Sequence, residues 1–178
     1  SAAKFGGATD ATRITILDSQ GIGTITNDDA ATLSINDVAV SEDTGSLSFT
    51  VTLSKAVAAD VTVVVDTADL ALPEALAGTD YTAITAQTVT FTAGGALTQT
   101  VTVTLTPDAI VENDEDFAAN LSDARFGGAT DPSRITISDA QGIGTILNDD
   151  LATLSINDVA ASEATGSLSF TVTLSKAV

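Results

Sequence analysis

The sequence repeats itself. Shifted by 121 residues, positions 1–57 fall on positions 122–178 with 47 identities, and the 10 differences include Ala11/Pro132, Leu17/Ser138, Thr26/Leu147 and Asp43/Ala164. Such a repeat constrains the fold more than any local pattern, because each copy must bury a core of its own or share one with a neighbour. The chain reads as about one and a half copies of a single unit. Residues 1–29 are the C-terminal part of a preceding repeat, residues 30–150 one complete repeat, and residues 151–178 the N-terminal part of the next. Neither partial copy is long enough to bury a core alone, so an excerpt of a longer array is expected.

Inside the unit, alternation with a period of two predicts strands. Ser46–Leu53 reads SLSFTVTL, with Leu, Phe, Val and Leu on one face and Ser and Thr on the other, the pattern of a half-buried antiparallel strand. Residues 61–65, 88–92 and 100–105 read the same way, and further strands are predicted at 32–40, 117–121 and 134–147. In the last of these a bulge or kink is expected at Gly142 and Gly144. Val and Thr dominate these runs, and both suit a pleated surface better than a helix. Turns are signalled at 42–45, 93–95 and 127–132, and a short helical turn is expected within 67–79. About seven short strands in a unit of this length describe an all-β, two-sheet antiparallel β-sandwich. Tyr81 is expected at a corner or in the core.

Composition then removes whole classes of chemistry. The chain has no Cys, His, Trp or Met, hence no thiolate nucleophile, no imidazole base, no Cys/His zinc site and no disulfide. Its 24 acids against 6 bases give a net charge of −18, which repels nucleic acid and anionic membranes. With 44% apolar residues the chain is predicted to be globular rather than disordered. No apolar run is long enough to span a membrane, and no signal-peptide pattern occurs in these residues. Paired carboxylates such as Glu112 and Glu115 occur in glycosidases, but a bare sandwich offers neither cleft nor aromatic platform, so no enzyme is expected.

The acids are not spread evenly. Asp108, Glu112, Asp114, Glu115 and Asp116 lie within nine positions, Asn148-Asp149-Asp150 closes the last strand, and Asp80 follows the 67–79 segment. A loop of this kind is often simply solvated, and Asn-Asp-Asp can be a turn whose side chains bond the backbone. Hard cations offer the other reading, since calcium takes six to eight oxygen ligands. No EF-hand loop and no glycine-aspartate nonapeptide repeat is present.

In order along the unit stand INDVAVSE at 35–42, AGTDY at 77–81, VENDEDF at 111–117 and GTILNDD at 144–150. This succession resembles the Calx-β domain across the whole unit. That family occurs in cytoplasmic loops of sodium/calcium exchangers, in an integrin β tail and in tandem arrays of bacterial surface proteins. The resemblance implies an immunoglobulin-like β-sandwich that binds Ca2+ at one end. Its ligands would be the side chains of Glu42, Asp80, Asp108, Glu112, Glu115, Asp149 and Asp150, with the carbonyl of Ile110. Asn148 falls where the family often has Asp, and Asn27, Asp28, Asp29 and Glu163 are remnants of the site in the partial repeats. Pro107 replaces a further acid and residues 69–74 depart from the family pattern, which implies fewer ions or weaker binding.

The expected function is a calcium-binding structural spacer repeat of a long extracellular or cell-surface adhesin or fibre. Asp150 stands only a few residues before the next repeat, where crowded carboxylates repel and a divalent cation would stiffen the junction. Expected partners are neighbouring repeats or copies of the chain, and surface glycans or proteins through other domains of the parent. Nucleic acid and membrane insertion are not expected. The alternatives are a cytoplasmic calcium-sensing domain of a membrane transporter and a filament subunit joined by strand complementation.

Overall fold

A computed structural model describes residues 3–9, 12–71 and 74–178. In the N-terminal partial repeat, β1 (Lys4–Phe5) and β2 (Ala8–Thr9) form a hairpin. The complete repeat contains β3 (Ala31–Ile35), β4 (Val38–Ser41), β5 (Ser46–Leu53), β6 (Val61–Asp69), β7 (Gln87–Phe91), β8 (Thr98–Thr104), β9 (Glu115–Phe126), β10 (Ile135–Ile137) and β11 (Gln141–Leu147). A second hairpin, of β12 (Leu154–Ile156) and β13 (Val172–Leu174), lies in the residues whose sequence copies that of β3–β5.

Two sheets face each other, one ordered β10-β3-β5-β8 and the other β4-β11-β9-β6-β7. The expected sandwich is therefore present, but it is not wholly antiparallel: β10 runs parallel to β3, and β11 parallel to β4. The reason is that the first and last strands of the repeat each pass from one sheet to the other, so they travel side by side. The predicted strand at 32–40 divides at Asn36-Asp37. Asn36 Oδ1 accepts from Thr50 N at 2.5 Å in one sheet, and Asp37 Oδ1 accepts from Ile143 N at 2.7 Å in the other.

The predicted strand at 134–147 divides as well, though not at its glycines. It breaks between β10 and β11, where Ser138 N donates to Leu33 O at 2.8 Å and Leu121 N to Ala140 O at 2.7 Å. Gly142 and Gly144 stay inside β11 because neighbours leave no room for a side chain. A Cβ would lie 2.4 Å from Asn36 O at Gly142 and 2.7 Å from Phe117 Cζ at Gly144. Within 67–79 the described residues form no helix, only a single turn in which Thr79 N and Asp80 N donate to Leu76 O at 3.1 and 3.0 Å, and Leu72 and Pro73 lie outside them. Asp69 Oδ1 instead accepts from Ala77 N at 3.0 Å and from Tyr81 Oη at 2.6 Å, folding the segment back as a loop. The short helices are 3-10 turns at Glu42–Thr44 and Glu163–Thr165, each closed by a glycine in the left-handed region, Gly45 at φ 67° and Gly166 at φ 70°.

The alternating apolar residues meet between the sheets. Phe49, Val51, Val63, Phe91, Val101 and Phe117 are fully buried, and each such side chain contributes about 1.5–3 kcal/mol of transfer free energy. Phe117 is the centre of the core at the acidic end. Phe49 meets it edge-on at 5.9 Å, and Tyr81 stacks on it at 4.3 Å, which settles Tyr81 as a core residue. No helix among the described residues is long and apolar enough to cross a membrane.

Candidate metal centre

Strand register decides which acids meet. Glu115, the first residue of β9, opposes Ile146 near the end of β11. The parallel pairing of β4 sets Ser41 beside Leu147. Glu42, Glu115 and Asn148 are thereby fixed at one corner of one sheet. In the other sheet Ser46 of β5 pairs with Thr104 of β8, and Tyr81 bridges to Leu105. The loop after β8, with Asp108 and Glu112, and the turn carrying Asp80 therefore arrive at the same end.

There the carboxylate oxygens of Asp80, Glu112 and Glu115 lie within 4.8 Å of one another. Together with Glu42, Asn113, Ile146 and Asn148 they surround a hollow of about 10 Å³, the space of one water-sized centre. Side-chain to backbone hydrogen bonds hold the frame. Asp108 N donates to Glu42 Oε1 at 2.7 Å, and Ile110 N donates to Asp108 Oδ1 at 2.7 Å. Glu112 N donates to Asn148 Oδ1 at 3.0 Å, and Asn148 N to Asp114 Oδ1 at 3.0 Å. Asp80 Oδ2 accepts from Leu76 N at 2.7 Å, which leaves its other oxygen for the hollow.

The electrostatics register the crowding. Partial burial and the charges of Asp80 and Glu112 push the Glu115 carboxyl up to about 7. Burial, then Asp108 and Asp80, raise Glu112. Glu42 is raised by burial, against a hydrogen bond from the Asp108 backbone that favours its charged form, and by the charges of Asp108, Asp149 and Asp150. These three groups therefore hold protons more tightly than free carboxylates do.

Asp149 and Asp150 have other contacts. Asp149 Oδ2 accepts from Ser41 Oγ and, at 3.3 Å, from Asp43 N, beside Glu42. Asp150 Oδ1 accepts from Lys176 Nζ of the next repeat. The Asp150 side chain is only 10% exposed, and its Oδ2 has no hydrogen-bond partner within the structure. The structure thus brings Glu42, Asp80, Asp108, Glu112, Glu115 and Asn148 together, with Asp149 at the rim and Asp150 facing the next repeat. At Ile110 the structure shows the amide bound to Asp108 and the side chain 37% exposed. Sequence reasoning missed Ser41, Asp114 and Lys176. Lys176 carried a signal, because it is the repeat counterpart of Lys55 just as Asp150 is of Asp29.

The donor set suits a calcium ion. Calcium–oxygen distances of about 2.3–2.6 Å place ligands on opposite sides of an ion about 4.6–5.2 Å apart. Carboxylate oxygens that lie within 4.8 Å of one another are near enough to share one such ion. The orphaned, buried oxygen of Asp150 is a further acceptor that only a cation or water can satisfy.

A β-sandwich whose chain passes between sheets at both edges, with acidic loops gathered at one end, defines an immunoglobulin-like class of domain. Within that class, the sequence profile of the Calx-beta domain matches residues 26–158, and the chain belongs to that family. Among solved structures, the apo form of the Calx CBD1 domain is similar over 68% of this chain and 100% of its own, with 20% identity and a TM-score of 0.56. The calcium binding domain CBD12 of CALX1.1 is similar over 71% of this chain and 50% of its own, with 21% identity and a TM-score of 0.54. The Calx CBD2 domain is similar over 70% and 91%, with 10% identity and a TM-score of 0.58. No curated protein sequence matches the chain.

Proposed function

We propose that the complete repeat binds Ca2+ at its acidic end and serves as a spacer in a tandem array of an extracellular or cell-surface adhesin or fibre. The observation that carries the calcium reading is the meeting of Asp80 with Glu112 and Glu115, 32 and 35 residues further on, with their oxygens within 4.8 Å of one another. In this reading Glu42, Asp108, Asn148, Asp149, Asp150 and the carbonyl of Ile110 complete or support the ligand shell. The ion supplies positive charge that offsets the repulsion among the acids. Glu112 and Glu115 would hold the ion, which would compete with protons for carboxyl groups whose proton affinity is raised.

The spacer reading rests on the near identity of the copies and on the short link between them. Copying lengthens an array without demanding new chemistry, and each sandwich adds roughly 35–45 Å at about 3.3 Å per strand residue. Partners are then neighbouring repeats. Calorimetric titration with Ca2+, paired with small-angle scattering with and without chelator, tests both parts. An unchanged scattering profile and melting temperature would reject the stiffening role.

The likeness to CALX domains favours a second reading, a cytoplasmic calcium-sensing domain of a membrane transporter. Membrane-spanning segments elsewhere in the parent protein would decide for it. A filament joined by strand complementation has less support. The partial repeats supply counterparts of β3–β5, β10 and β11, but no counterpart of β6, β7 or β8. Two molecules exchanging them would still lack half a core, and concentration-dependent polymerisation would be the sign that they manage it.

A further inference from the structure

We propose that Asp69 and the buried Tyr81 form a positioning clamp for the acidic end, in which Asp69 holds the turn that aims Asp80 at the ion and is not itself a ligand. The inference rests on the calcium reading of that end and names what presets one of its ligands.

Asp69 closes β6 and stands opposite Phe117 of β9. A single oxygen of its carboxylate, Oδ1, accepts from Tyr81 Oη at 2.6 Å and from Ala77 N at 3.0 Å. Both donors sit on the turn 76–81, which is also tied to itself. Gly78 N donates to Tyr81 O at 2.7 Å, Asp80 N to Leu76 O at 3.0 Å, and Leu76 N to Asp80 Oδ2 at 2.7 Å. Thr106 N donates to Asp80 O at 2.9 Å, so both main-chain polar groups of Asp80 are engaged. The turn therefore fixes the direction of the Asp80 carboxylate, and the turn hangs on Asp69.

Tyr81 makes the link to the other acids. It is 1% exposed, and its ring lies on Phe117 at 4.3 Å and 17° from parallel. Phe117 follows Glu115 by two residues in β9, and Ala75 N donates to Asp116 O, between them, at 3.0 Å. One ring and one hydroxyl thus register the turn carrying Asp80 against the strand carrying Glu115. Oxygens of Asp80, Glu112 and Glu115 lie within 4.8 Å of one another, and Asp69 stands outside that group. Hydrogen bonds to an ionised acceptor are among the stronger kinds, and partners that orient a metal ligand typically carry about 10–100-fold in affinity. Asp69 itself is exposed. Water can take the place of the hydroxyl in Tyr81→Phe without leaving a buried charge, so the fold is kept while the tie to the turn is lost.

Calcium calorimetry on the whole chain, paired with amide hydrogen exchange in chelator, tests the clamp. Tyr81→Phe and Asp69→Ala should each weaken Ca2+ binding about tenfold, while Asp69→Asn, whose amide oxygen still accepts both bonds, should stay within about threefold of the unaltered chain. In chelator the Leu76 amide should exchange about tenfold faster in Tyr81→Phe and Asp69→Ala. Amides of β5 report that each variant is folded. A ligand role for Asp69 predicts another pattern, with Asp69→Asn as weak as Asp69→Ala and Tyr81→Phe unaffected. A role in stability alone predicts lower melting temperatures with unchanged affinity and unchanged Leu76 exchange. Either pattern would overturn the proposal. If the unaltered chain gives no calcium heat, the calcium reading itself fails, whereas failure of the clamp alone leaves that heat intact and Leu76 unmoved.

Discussion

The same sequence stands in two settings, and only one of them makes a core. Leu33 and Leu53 pair across β3 and β5, and their copies Leu154 and Leu174 pair in the same register across β12 and β13. Yet Leu33 is 0% exposed and Leu154 72%, Phe49 0% and Phe170 57%, Ile146 5% and Ile25 99%. Hairpin register is therefore a local property, while burial belongs to β6–β9, which this chain contains once. The acids follow the same division: Asn27, Asp28, Asp29 and Glu163 repeat the site without the loop that would complete it.

Paired substitutions can break that comparison. The largest difference is expected between Phe49→Ala and Phe170→Ala. The first opens a cavity beside Phe117 and should cost about 3–5 kcal/mol, and the second should stay within about 0.5 kcal/mol, both read by urea unfolding. Next comes Gly144→Ala against Gly23→Ala. A Cβ at Gly144 meets the Phe117 ring at 2.7 Å, whereas one at Gly23 meets nothing within 4 Å. Overpacking should destabilise the first by about 1–3 kcal/mol and leave the second neutral. If the two members of either pair cost the same, the partial repeats are packed after all.

A smaller effect sharpens the comparison by pH. Glu115 is raised from 4.5 to about 7, so between those values the folded chain holds a proton that the unfolded chain has released. Its contribution is fully present below pH 4.5 and is lost as pH rises through about 7. Glu42 and Glu112 act in the same direction. Glu112 is exposed and Glu115 half-buried, so solvent screens both and their share of the change should be below about 1 kcal/mol. In chelator the melting temperature should fall over this window, and Glu115→Gln should flatten the slope where Glu163→Gln does not.

Much of this was legible from residue pattern alone. The alternation of SLSFTVTL marks β5 to the residue, and the crowding of acids at 108–116 and 148–150 pointed to one end of the sandwich. What stayed hidden depends on partners far away in sequence. The sheet switch at Asn36-Asp37 is set by Thr50 and Ile143, 14 and 106 residues on. Gly142 and Gly144 read as a kink because glycine in a strand signals either a bend or a close approach, and only Asn36 and Phe117 decide which. The Lys176 contact with Asp150 is hidden because it spans 26 residues and no local pattern encodes it.

The central claim is that the complete repeat alone assembles the calcium site. Isothermal titration with Ca2+ of the unaltered chain, of Glu112→Gln/Glu115→Gln and of Asp28→Asn/Glu163→Gln tests it most directly. Binding heat is expected in the unaltered chain and in the partial-repeat variant, and should vanish in the Glu112/Glu115 variant. Heat that survives in that variant, or is missing from the unaltered chain, contradicts the account.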